Sequence, residues 1–285
     1  MQYVRANTAA EALDALLKCE GKAIICAGGS DVMVDVGSGK IHPETLVDVS
    51  RVEEMRGIKI ADGKIEIGAA VTLTEIATHP EIRKMYPSLC KGCGTVGSLQ
   101  IRNSATLVGN VVSAQPAGDG AVSVSVLDPI FTILSKDGVR EVPMTEMYAG
   151  FGKSKVDHSA EVVTKVTIPV PAEDEAAAFQ RLELRKSLSL PMLNTAARVK
   201  VQDGKIVWAQ ITMAPVGVGP VHAVVAEEFL KGKEMTDEVL AEAGKLSLEN
   251  ANPRSNPLRG SREFRIDTLP VMVRRALEDC RAQLQ

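Results

Sequence analysis

"TVGSLQIRNSATLVGNVVSAQPAGDG", from Thr95 to Gly120, shows neither strand-like alternation nor sustained helical periodicity. Glycine recurs along it, and Asn103 and Asn110 stand where a helix ought to stop. So many small, backbone-exposing residues make either a long surface loop or a surface of N–H groups aimed at a ligand. Thr106, Gly109 and Asn110 offer a hydroxyl, a glycine and an amide side chain within a short reach, and Asp119 follows at loop spacing. Spacing alone is equally compatible with an irregular Gly/Asn loop.

A second stretch has similar chemistry in a clearer setting. Ala27-Gly28-Gly29-Ser30-Asp31 lies between a short buried strand, Ala23–Ala27, and a helical turn beginning at Val32. Consecutive glycines let a backbone turn without a Cβ and let a ligand come close. Free N–H groups at a helix start favour an anion. Ser30 adds a hydroxyl donor, or else Ser30 or Asp31 simply caps the helix. Two N–H-rich loops facing one cleft would hold a pyrophosphate with little basic charge. By contrast, Gly92-x-Gly94-x-x-Gly97 fits the dinucleotide fingerprint only as a string. It lacks the strand before and the good helix after that give the fingerprint meaning.

Composition bounds the rest. The chain has 285 residues, is 45% hydrophobic and 24% charged, and carries a net charge of −3. That is globular composition, with no like-charge block to suggest nucleic acid or an anionic membrane. Aromatics are 3%, too few for stacking platforms. No basic-then-apolar leader and no membrane-length apolar run is present, and five scattered cysteines suit a reduced, cytoplasmic setting. Cys90-x-x-Cys93 has no second pair to complete a metal site. No His cluster, nucleophile elbow or other acid–base machinery stands out, so no catalytic residue and no metal ligand is assigned. Bound phosphate without such machinery points to a cofactor that carries its own chemistry.

Along the chain, residues 1–55 read as α/β, with a capping box Thr8-x-x-Glu11 and strands at Ala23–Ala27 and Leu46–Val49. Residues 56–171 read as strand-rich. They hold hairpins at Asp62-Gly63 and Asp137-Gly138, a capping box Thr72-x-x-Glu75, and an alternating "VSVSV" before "LDPIFTIL". The acidic, Ala-rich "AEDEAAAF" marks a boundary. Residues 172–285 then give strands at Ala196–Val201 and Lys205–Met213, and helices over Val221–Leu230, Thr236–Asn250 and Leu269–Leu284.

"AGGSDVMV" (Ala27–Val34) resembles the "AGGTDL" loop of the FAD-binding subunits of molybdenum hydroxylases. "VGSLQIRNSATLVGN" (Val96–Asn110) resembles their "VGSxQIRNxATxGGN" segment. "SAQPAGD", Leu127-Asp128 and "VPMTEMYAGFGKS" follow in the family's order, and the resemblance covers nearly the whole chain. "PRSNPLRGSREFR" is most similar to the xanthine branch. The resemblance implies an α+β protein: a two-part FAD-binding domain of the PCMH (vanillyl-alcohol oxidase-like) type and a small C-terminal α+β domain with an antiparallel sheet. It implies that Ala27, Gly28, Gly29, Ser30, Asp31 and Val32 donate to the FAD pyrophosphate, and that Thr106, Gly109 and Asn110 form a second phosphate and ribityl loop. By the same resemblance Asp119, Val96, Ile101, Val163 and Arg181 lie on the flavin side.

Four departures stand out. Ser30 replaces Thr, Val108 replaces the first glycine of a pair, Arg181 replaces a lysine, and Ser189 stands where an Asp is common. A positive φ at Val108 would cost about 1–2 kcal/mol. The function implied is an electron-transfer subunit. It takes electrons from an iron–sulfur subunit served by a molybdopterin-containing large subunit, and passes them to NAD+ or another acceptor. The alternatives are a stand-alone FAD oxidase or reductase of the same fold, and a non-catalytic assembly subunit.

Overall fold

The computed structural model describes all 285 residues. β1 (Gln2–Arg5) opens the chain, followed by α1 (Ala9–Lys18), β2 (Ala23–Cys26), α2 (Val32–Gly37) and β3 (Thr45–Asp48). Thr8 caps α1 by accepting from the Glu11 N–H, and Glu11 accepts in return from the Asn7 N–H at 2.8 Å. The three strands form a parallel sheet in the order β1-β3-β2. The sequence pattern gives no strand at β1, whose residues are mostly exposed. Pairing with β3 makes it one.

β4 (Ile58–Ala61) and β5 (Lys64–Gly68) turn at Asp62-Gly63, with φ of 52° and 72°. That is the primed turn an Asp-Gly pair favours. α3 (Leu73–Thr78) starts at a complete capping box: the Glu75 N–H donates to Thr72 Oγ1 at 3.2 Å and the Thr72 N–H to Glu75 Oε2 at 2.7 Å. α4 (Pro80–Met85) is capped by the His79 ring, and α5 (Pro87–Thr95) buries both Cys90 and Cys93.

The stretch from Thr95 to Gly120 is not a loop. It holds two short helices, α6 (Leu99–Arg102) and α7 (Leu107–Val112), and the start of a third, α8 (Asp119–Ser125), joined by short turns. The Val/Ser alternation through residue 125 belongs to α8 and not to a strand. Every residue of α8 is buried, so alternation carries no facial information there. The Ser123 and Ser125 hydroxyls donate back to the Gly120 and Val122 carbonyls, which is how serines are accommodated inside a helix.

β6 (Ile130–Ser135), β7 (Gly138–Pro143), β8 (Tyr148–Gly150), β9 (Lys153–Ser154) and β10 (Glu161–Pro169) follow. Five strands make an antiparallel sheet ordered β4-β5-β10-β6-β7, and β8 and β9 pair separately. β11 (Glu175–Leu182), β12 (Leu193–Gln202), β13 (Lys205–Ala214) and β14 (Val221–His222) form an antiparallel sheet in that order, and α9 (Val224–Leu230), α10 (Asp237–Leu246) and α11 (Arg262–Leu284) close the chain. The Ala-rich segment at the boundary runs into strand β11 from Glu175. Alanine favours strands weakly, but packing on β12 and α11 decides. Val221 and His222 pair with β13 rather than beginning a helix. α10 tightens to a 3-10 turn after Leu246, and α11 begins at Arg262, where Ser261 caps it.

Two compact units share the chain. One takes residues 1–75, 99–114 and 128–170; the other takes 76–98, 115–127 and 171–285. Within the second, Leu193, Ala197, Val199, Ile211 and Met213 of the sheet pack against Leu230, Leu240, Leu269, Val273 and Leu277 of the helices. Burying such side chains contributes about 1.5–3 kcal/mol each. Gly244 of α10 lets that helix approach the Pro270 carbonyl of α11, 2.5 Å from where a Cβ would stand.

Candidate functional site

The loop after β2 and the loop before α7 meet backbone to backbone. A Cβ on Gly28 would overlap the Ser104 carbonyl and crowd the Ala105 nitrogen. The junction is tied further by the Leu73 N–H donating to the Ala105 carbonyl at 2.8 Å and by a bridge between Thr72 and Thr106. Gly28 is therefore required by the protein's own backbone, whatever ligand lies beyond it.

Beside this junction opens a cleft of about 720 Å³, within the range of small-molecule and cofactor sites. Ala27, Gly28 and Thr106 line it together with Ser50, Arg51, Arg56, Thr72, Glu75 and Ser104. The amide N–H groups of Ala27 through Asp31 make no hydrogen bond within the chain. Ala27 and Gly28, the first two of these five donors, line the cleft, and a run of free backbone N–H groups favours an anion. Asp31 is the N-cap residue of α2 but makes no side-chain cap bond. Burial, then the charge of Asp35, holds its carboxyl above the ordinary carboxylate value.

On the facing side Thr106 is the N-cap of α7. Its Oγ1 accepts from the Gly109 N–H at 2.9 Å, which leaves the hydroxyl proton for another acceptor. The position of a Cβ on Gly109 lies only 2.9 Å from that same Oγ1, so a side chain there would push the cap aside. Val108 is helical, without positive φ, and 6% exposed. The strain that its replacement of a glycine would otherwise bring does not arise. Thr106→Ala is expected to cost about 1 kcal/mol through loss of the cap, while Thr106→Ser keeps it; urea denaturation of the two variants separates them.

The remaining sequence candidates fall elsewhere. Gly29 to Val32 continue from the cleft into α2, and Asn110 sits on α7. Ile101 is 40% exposed on α6, and Val163 is 8% exposed in β10 beside a bulge. Val96 caps the end of α5 in the second unit. Also in that unit, Asp119 and Arg181 form a buried pair. Arg181 Nε donates to Asp119 Oδ2 at 2.9 Å, and Asn194 Nδ2 donates to Asp119 Oδ1 at 2.8 Å. Arg181 also contacts Glu183 at 3.0 Å and donates to the Ser189 carbonyl. Burial pushes the Asp119 carboxyl above the usual carboxylate range, against the pull of Arg181. The guanidinium is thus engaged by protein on all three nitrogens.

Sequence reasoning missed the cleft residues Ser50, Arg51, Arg56 and Ser104. Only Ser104 carried a signal, since it lies inside the "RNSAT" stretch beside Thr106. Arg51 and Arg56 come from a turn with no motif of its own.

Residues 1–171 match the family described as the FAD binding domain in molybdopterin dehydrogenase, and residues 177–280 match the CO dehydrogenase flavoprotein C-terminal domain. With its cleft and N–H-rich loops, this makes the chain a flavoprotein, an oxidoreductase subunit whose cofactor is FAD. The chain belongs to the FAD-binding family of the molybdopterin dehydrogenases.

It is 34% identical to the nicotinate dehydrogenase FAD-subunit of Eubacterium barkeri over 219 residues, which are 76% of this chain and 74% of that one. It is 27% identical to the xanthine dehydrogenase FAD-binding subunit of Escherichia coli O157:H7 over 278 residues, 97% of this chain and 94% of that one. Among solved structures, a chain of quinoline 2-oxidoreductase from Pseudomonas putida 86 superposes with a TM-score of 0.91 at 27% identity, covering 100% of this chain and 98% of that one. The mixed helix-and-sheet architecture is the α+β class that the sequence implied. No helix is long and apolar enough to cross a membrane.

Proposed function

We propose that this chain is the electron-transfer subunit of a molybdenum hydroxylase complex. It would receive electrons from an iron–sulfur subunit, fed by a molybdopterin-containing large subunit, and deliver them to NAD+ or another acceptor in the cytoplasm. The observation that carries the reading is the backbone junction of Gly28 with Ser104, which sets Ala27 and Gly28, the start of a run of five unengaged N–H groups, against one cleft. In this proposal residues 1–55 and 56–171 are two halves of a PCMH-type FAD-binding domain, and 172–285 form the C-terminal flavoprotein domain.

The cleft fits a dinucleotide cofactor on two counts: it is large enough for one half of FAD, and its donors are backbone amides. The N–H groups of Ala27, Gly28, Gly29, Ser30 and Asp31 would bind the pyrophosphate, with Val32 opening the helix behind them. The Thr106 oxygen already caps α7, so its hydroxyl proton remains to donate to the same anion. Gly109 and Asn110 support that cap. Arg51 and Arg56 add positive potential within the cleft. Bound FAD would supply the redox chemistry, accepting and releasing electrons. Asp119, Arg181, Val96, Ile101 and Val163 take the flavin-side roles that the resemblance implies, with one amendment. Because Arg181 is held on all sides by protein, it works by fixing Asp119 and the Glu183–Ser189 turn.

The test is a visible spectrum and a turnover assay on the chain alone and co-expressed with iron–sulfur and molybdopterin partners. Flavin bands in the isolated chain, with dehydrogenase activity only in the complex, are expected. Substrate turnover by the isolated chain would overturn the electron-transfer reading in favour of a stand-alone flavoenzyme. A colourless chain that FAD cannot reconstitute would overturn the assigned site.

A further inference from the structure

The segment "NPRSNPLRGSREFRI", Asn252–Ile266, holds four arginines and a single acid, Glu263. It folds into a tight unit. Asn256 and Gly260 bridge, the Arg262 N–H donates to Ser255 Oγ at 3.0 Å, and Ser261 caps α11. Arg265, in the first turn of α11, is 4% exposed. Its guanidinium reaches only two carbonyl oxygens, of Pro215 at 3.4 Å and Arg259 at 3.2 Å, and its Nε is buried without an acceptor. No carboxylate makes an ion pair with it or with Arg254, Arg259 or Arg262; the neighbouring Glu263 carboxyl is held below its ordinary value by its own backbone and Ser261 and, more weakly, by the charge of Arg262.

A guanidinium stays charged at any physiological pH. Buried without a counter-ion it is costly, because the surrounding dielectric is low and water cannot screen it. Burial, and then the neighbouring charge of Arg259, pull the Arg265 pKa below its ordinary value, so the ion is held where it is disfavoured. Its field therefore emerges at the surface, where Arg254 and Arg262 are exposed and Arg259 is half-buried. Leu258, 77% exposed, and Phe264, 43% exposed, stand in the same short segment. Arginine beside large apolar side chains is the composition of a protein interface rather than of a small-anion pocket.

We propose that Arg254, Leu258, Arg259, Arg262 and Phe264 form a docking surface for an acidic segment of a partner subunit. Its carboxylates would neutralise the exposed arginines over the buried Arg265 charge. Charge complementarity names the occupant: a protein segment bearing several Asp or Glu around an apolar contact. The proposal rests on the subunit reading above.

The experiment uses the full chain co-expressed with iron–sulfur and molybdopterin partners. Arg259→Glu/Arg262→Glu is expected to leave flavin content and the Tm of the isolated chain unchanged, and to weaken association at least about tenfold. Arg262→Lys should associate as wild type, and Leu258→Ala should weaken association without altering its salt dependence. If the charge reversal assembles normally, the docking proposal falls while the subunit reading stands. If the wild-type chain captures no partner, both fall. A Tm rise with inorganic phosphate that the reversal abolishes, with assembly intact, would make the surface a small-anion site and overturn the proposal. Should the reversal unfold the chain, Arg262→Gln with Leu258→Ala decides by the same two readouts.

Discussion

Gly28→Ala is expected to purify almost free of flavin. The new methyl group would meet the carbonyl of Ser104 and the nitrogen of Ala105, both backbone atoms that cannot rotate away. Relief requires the two loops to part, and parting them disperses the N–H groups of Ala27–Asp31. Overpacking of this kind costs about 1–3 kcal/mol. If about 2 kcal/mol of it falls on cofactor binding, affinity drops by about thirtyfold. Alanine carries no charge, so the loss would be steric. Gly37→Ala is the control: nothing lies within 4 Å of its Cβ position, and its φ is not positive. Flavin absorbance per protein, measured after desalting both variants, checks the expectation. Retention of flavin by the Gly28 variant would show that the loop junction does not form the cofactor cradle.

Arg181→Met removes the cation from a buried carboxylate. Asp119 is 4% exposed, and the Arg181 side chain is 8% exposed. Breaking such a pair from one side costs about 3–5 kcal/mol, because the other charge stays buried. The pH dependence gives the loss a signature. The Asp119 carboxyl already sits above its ordinary value, since burial outweighs the attraction of Arg181. Without Arg181 it moves higher still. A carboxyl whose folded pKa exceeds its unfolded value lowers stability above the folded pKa, and that penalty disappears as pH falls below the unfolded value. The Tm gap between variant and wild type should therefore be widest at neutral pH and narrow on acidification through the carboxylate range. Asp119→Asn combined with Arg181→Met should recover part of the loss, since no charge is left behind. A gap that is flat or grows with acid would mean that Asp119 is not the group responsible.

What the sequence disclosed follows the range of the forces involved. Asp62-Gly63 announced its turn because the requirement for positive φ is local. The same holds for the Thr8–Glu11 and Thr72–Glu75 capping boxes. The two glycine-bearing loops were legible as motifs, and the glycines of the first were read as places of close approach. What Gly28 approaches, Ser104, was not legible, because that contact spans 76 residues of chain. The helical nature of α8 was hidden because a helix buried on every side has no polar face to set its period. The Asp119–Arg181–Asn194 cluster joins residues 62 and 75 positions apart. Arg51 and Arg56 reach the cleft only because β3 ends beside it. The resemblance placed Asp119 and Arg181 on the flavin side, while only the fold shows them bonded to each other.

The path of the chain has a practical outcome for anyone who would dissect this protein. Residues 76–98 and 115–127 leave the N-terminal family region to lie with the C-terminal sheet: α5 packs on β11 and α8 on β12. A scissor cut between residues 171 and 177, where the two family matches separate, would release two pieces that are each incomplete. The N-terminal fragment would carry α5 and α8 stripped of their floor, with Val122, Val124 and Cys93 facing solvent. Such fragments should aggregate apart and recover only when supplied together, so inheritance of this architecture is expected to be all or nothing.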